Sequence, residues 1–113
     1  MGLIMPRALD LLQGTLDLLV LRTLTWGPMH GYAVARLIKV RSGNLFLVEE
    51  GALYPALHRL ERKGWVASEW GVSENNRKAK FYQLTTQGRA ALRSEVAEWQ
   101  RYTKAVDGVL QPT

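Results

Sequence analysis

The sequence predicts a mainly α chain of the α+β class, with three short helices, a two-stranded hairpin and one long final helix, in that order. Three observations carry this. Apolar residues recur at helical spacing in three stretches ahead of Gly64. Two runs of β-formers, Trp65 to Trp70 and Lys80 to Leu84, flank a polar loop from Gly71 to Ala79. The stretch from about Gln87 to Leu110 repeats apolar side chains by alternating fours and threes, as a coiled-coil-like seam does.

Bulk properties narrow the classes. A chain of 113 residues without internal repeats or linkers fits one unit, and a hydrophobic share of 47% is that of a folded protein rather than a disordered one. A net charge of +5 and an isoelectric point near 9.9 favour acidic partners such as nucleic acid. The basic groups are spread along the chain, so their placement matters more than their sum. The lack of cysteine excludes disulfides, thiolate metal sites and cysteine nucleophiles, and the cytoplasm is the expected compartment. Asp10, Gln13, Asp17 and Arg22 interrupt the leucine-rich run from Leu9 to Leu24, which predicts a buried helix and no membrane span.

In the first helix, Leu16 to Trp26, apolar residues cover most of the circumference, so it needs cover on two sides: its own core and a second subunit. Trp26-Gly27-Pro28 ends it. The second helix is expected from His30 to Ser42, with Tyr32, Val34, Ala35 and Ile38 spaced helically and Arg36, Lys39 and Arg41 outward. The third carries a stripe of Leu53, Leu57 and Leu60; Pro55, tolerated only in a first turn, places its start near Gly51 or Ala52, and Gly64 stops it. Trp65, Trp70 and Phe81 are expected to fill the buried face of the hairpin strands, and Thr85 or Thr86 to cap the final helix.

Helix, helix, helix, hairpin and tail helix is the order of a winged helix-turn-helix with a two-stranded wing, residues 1–86, followed by a dimerisation helix, residues 87–113. In that fold the third helix enters the major groove of DNA. Tyr54, Pro55, His58, Arg59 and Arg62 share the face opposite the leucine stripe, and Arg59 is the best candidate for a base contact. Asn75, Asn76, Arg77, Lys78 and Lys80 at the hairpin tip suit phosphates or the minor groove. Each group has a plainer reading, as a solvated helix face and a soluble turn. Leu16 and Leu19 of the first helix, with Leu92, Val96, Trp99, Thr103, Val106 and Leu110 of the last, are the expected dimer contacts.

An enzyme would need convergent acid, base or nucleophile groups, and His30 and His58 have no catalytic partner in the pattern. His58 with Glu61 supplies at most two metal ligands, so neither metal nor cofactor is expected. A dimeric module that binds another protein is the main rival reading, and RNA binding is weaker for want of a stacking platform.

Gly27-Pro28-Met29-His30-Gly31-Tyr32, the run Gly51 to Glu61 with Gly64, and Lys80-Phe81-Tyr82-Gln83-Leu84-Thr85 with Gly88 together resemble the PadR family of transcriptional regulators over roughly residues 15–90. The resemblance implies a cytoplasmic homodimer that represses transcription from an inverted repeat, and it adds His30 and Tyr32 to the DNA-binding set. It implies subunits joined by the last helix, as in the short subgroup with a single tail helix. Some such members hold flat aromatic ligands between tail helices through a tryptophan, and Trp99 stands at a similar place; tryptophan on a seam also serves simply as core packing. The wing run Glu74 to Lys80 departs from the family's Gly-Arg-Pro-x-Lys-like tip.

Overall fold

The computed structural model describes residues 13–112. Leu9, Leu11 and Leu12 of the leucine-rich run lie outside them. Helix α1 spans Gln13–Thr23 and runs into a short 3-10 turn, Leu24–Trp26. Then come strand β1 (Met29–His30), helices α2 (Gly31–Arg41) and α3 (Glu50–Arg62), strands β2 (Val66–Val72) and β3 (Lys78–Leu84), and helix α4 (Thr86–Leu110). Among the described residues, four helices with a small antiparallel sheet make the expected winged helix-turn-helix.

One core joins the elements. Leu16, Val20 and Leu21 of α1, Leu24 of the 3-10 turn, Val34 and Ile38 of α2, and Leu53, Ala56, Leu57 and Leu60 of α3 pack with Val66, Tyr82, Leu84 and Leu92. The apolar stripe of α3 falls on the core because positions three and four apart share a helix face. Gly64, at φ 76°, takes the left-handed turn that ends α3, and the Trp65 N–H donates back to the Leu60 carbonyl. The Thr85 hydroxyl then fastens the start of α4, accepting from the Gly88 N–H at 3.0 Å and donating to the Gly64 carbonyl at 2.7 Å.

Several expectations need correction. The sheet has three strands in the order β1-β3-β2, because Met29 and His30 pair with Tyr82 and Phe81. Helix α3 begins at Glu50, so Pro55 sits in its second turn; the Gly51 carbonyl that loses its donor there belongs to an exposed residue, where water serves instead. The loop is shorter than the expected Gly71 to Ala79: Gly71 and Val72 lie on β2, and Lys78 and Ala79 lie on β3 beside Lys80. Trp70 is not buried but 62% exposed. Leu16 and Leu92, expected at a dimer seam, are fully enclosed in the protomer's own core, where α1 crosses α4. Leu19 and Val96 lie half-buried beside them.

Beyond Val96 the last helix leaves the core. Helix α4 is 25 residues long, about 37 Å at the usual rise. Its outer half carries Trp99, Tyr102, Val106, Val109 and Leu110, all exposed. No helix of the described residues is long and apolar enough to cross a membrane.

Candidate nucleic-acid interface

The starts of α2 and α3 and the inner side of the wing enclose an open cleft of about 800 Å³. Tyr32, Arg36 and Tyr54 line it from the helices, and Trp70, Arg77, Lys78 and Lys80 from the hairpin. Gly31 permits this arrangement. A Cβ at that position would lie 2.8 Å from the Tyr54 hydroxyl oxygen, so only glycine lets the Tyr54 ring lie so close against the first turn of α2.

His30 fixes where the cleft ends. It is the last residue of β1 and the N-cap of α2, and its Nδ1 accepts from the Ala33 N–H at 3.3 Å. That bond assigns the ring proton of the neutral form to Nε2, which lies 3.9 Å from a Glu74 oxygen at the wing turn. The ring also meets the edge of Phe81, with centroids 5.5 Å apart. His30 is thus a half-buried structural hub, whereas its neighbour Tyr32 stands exposed at the cleft mouth.

The recognition face of α3 differs from the expected one in a decisive residue. Arg59 does not project outward with Tyr54, Pro55 and His58. Its Nη2 and Nε donate to the two oxygens of Asp17 on α1, at 2.7 and 3.1 Å, in a fork that matches the carboxylate. The hydrogen bonds to Asp17 push the guanidinium pKa above its ordinary value against the opposing effect of burial, and the side chain is only 24% exposed. Arg59 is therefore a clamp between α1 and α3 rather than a free base-reading group. The outward set is Tyr54, Pro55, His58 and Arg62, all exposed and spaced along one side of the helix.

Behind that face lies a carboxylate with an unused acceptor. Glu61 Oε2 accepts from the Ser68 hydroxyl of β2 at 2.8 Å, while Oε1 is buried without a hydrogen-bond partner, 3.8 Å from His58 Nδ1. Burial raises the Tyr82 phenol above its ordinary range, helped by the nearby Glu61 and Tyr54, so the cleft floor keeps a neutral hydroxyl.

On the wing, Asn75, Asn76 and Arg77 are exposed, with Asn76 in the left-handed region at φ 56°. Lys78 Nζ lies 5.2 Å from the centre of the Trp70 ring, and Lys80 Nζ 5.9 Å from that of Tyr82. The cleft thus presents hydroxyl, amide and cationic donors along two walls, a donor set fitted to phosphate oxygens. Arg36 is the residue that sequence reasoning placed outward without a role; its spacing of four from Tyr32 was the available signal. Among the described residues no group of three or more possible metal ligands occurs.

The model of the transcriptional regulator PadR-like family matches residues 20–94, which hold the end of α1, helices α2 and α3, the wing and the start of α4. The chain belongs to the PadR-like family. It is 33% identical to a PadR family transcriptional regulator from Eggerthella lenta, a structure with a TM-score of 0.76 that covers 89% of this chain and 86% of its own. A transcriptional regulator from Clostridium thermocellum superposes with a TM-score of 0.79 at 26% identity, over 88% of this chain and 93% of the other. An uncharacterised protein of Lysinibacillus sphaericus is 32% identical over 87% of this chain and 90% of its own length. PadR-like proteins are DNA-binding regulators of transcription and not enzymes.

Proposed function

We propose that this PadR-like protein is a homodimeric repressor that binds an inverted-repeat operator in the cytoplasm, residues 1–86 meeting the DNA and residues 87–113 joining the subunits. The observation that carries the reading is a cleft with two walls: Tyr54 of α3, whose exposed side continues outside the cleft lining to His58 and Arg62, and the wing, with Arg77, Lys78 and Lys80. The first enters the major groove, and the second holds the flanking backbone. Asn75 and Asn76 reach the same backbone from the tip, and Tyr32 and Arg36 do so from α2. The exposed apolar side chains on the outer half of α4 support dimerisation, since a helix with that face uncovered needs a partner. Trp99 and Tyr102, with ring centroids 6.1 Å apart, offer a stacking surface for a flat aromatic effector on the same helix.

Selection of bound duplexes from a random pool at about 150 mM salt, where non-specific binding is weak, tests the reading. The expected product is an inverted repeat with half-sites about 34 Å apart. On that site Arg62→Ala should relax sequence preference and cost about tenfold in affinity. A folded dimer that enriches no sequence would instead favour a module that docks on another protein.

A further inference from the structure

Trp70 is the largest side chain of the wing and 62% exposed, yet it is set in a regular strand pairing. It stands directly across from Lys80, and the pairs below it on the same hairpin face are Ser68 with Tyr82 and Val66 with Leu84. Val66, Tyr82 and Leu84 are core residues, and Ser68 is bonded to Glu61 of α3. The face that packs on the core thus continues past the core's edge, and the first pair beyond it is a tryptophan and a lysine. Both line the cleft with Lys78, whose ammonium lies over the indole.

A bare tryptophan beside two cations is an odd surface for water but a good match for a DNA strand. Along the groove rim, apolar deoxyribose faces alternate with charged phosphates, so an apolar ring flanked by basic groups can meet both at once. We propose that Trp70 is a DNA-contact residue, its indole packing on deoxyribose rims of the strand whose phosphates Lys78 and Lys80 hold. The proposal rests on the reading that the cleft takes duplex DNA, and it adds an apolar component to an interface otherwise built of donors and charges.

Sugar contacts carry no sequence information and release no counterions. Trp70→Ala should therefore weaken a selected duplex and a random-sequence duplex alike, by about tenfold, and leave the salt dependence unchanged. Lys78→Ala should instead flatten the salt dependence by about one unit. Trp70→Phe, which keeps an aromatic face, should retain affinity within about threefold. Direct contact is read separately by fluorine NMR of protein labelled with fluorotryptophan. The resonance assigned to Trp70 by its loss in Trp70→Phe should move when either duplex is added. A wild-type protein that binds DNA while that resonance stays still, or a Trp70→Ala variant that binds as well as wild type, overturns the proposal and leaves the DNA reading intact. Failure of the wild type to bind either duplex overturns both.

Discussion

Removing either end of the Asp17–Arg59 fork leaves a partly desolvated charge alone, since Asp17 is only 14% exposed. Arg59→Ala and Asp17→Ala should each lower the unfolding free energy by about 2 to 3 kcal/mol. Urea titrations of the two single variants and the double variant check this: the double loss should be clearly smaller than the sum, and strict additivity would deny the pair any coupling. The pair also marks a limit of sequence reading. Helical spacing placed Arg59 on the outer face of α3, whereas its side chain turns to a partner 42 residues away on α1, and nothing local announces that contact. Trp70 was misjudged for the opposite reason. Residue type argued for burial, while strand alternation, which carries the core face outward along the hairpin, leaves it beyond the core's edge.

At the scale of elements, the close seating of α4 on the hairpin depends on Gly88. A Cβ there would run into the Trp65 carbonyl oxygen, which already accepts from the Thr85 N–H, and would press on Leu84. Gly88→Ala should cost about 3 kcal/mol, read as a lower thermal midpoint with loss of cooperativity at the start of α4. An unchanged midpoint would mean that the junction is looser than its geometry suggests. The helices were legible because their apolar spacing is strong, as Leu53, Leu57 and Leu60 illustrate, and the hairpin because β-formers flank a polar turn. Strand β1 was not, since two residues after Gly27-Pro28 have no period to detect. Pro55 misplaced the start of α3 slightly, because an exposed carbonyl tolerates losing its donor.

At the scale of the whole molecule, the outer half of α4 leaves a row of apolar side chains open. Trp99, Val106 and Leu110 continue the spacing of the core contact at Leu92 and Val96 into solvent. Val106→Lys should turn a dimer into a monomer at micromolar concentration in sedimentation equilibrium, while the far-ultraviolet circular dichroism keeps its helical shape. A wild type that stays monomeric at concentrations saturating DNA would remove the dimer from the reading. The apolar stripe of α4 was legible from its alternating spacing, but the point where it leaves the protomer's own core was not, since periodicity alone cannot tell that; Leu16 and Leu92 lie inside that core. His30 ties the rest together, closing the sheet, opening α2 and touching Phe81 of β3 with one ring. A chimera that borrowed a relative's wing would therefore carry a mismatched joint unless the graft also reached back to residues 27–33, so the natural unit of exchange in this scaffold is two separate stretches of chain rather than one.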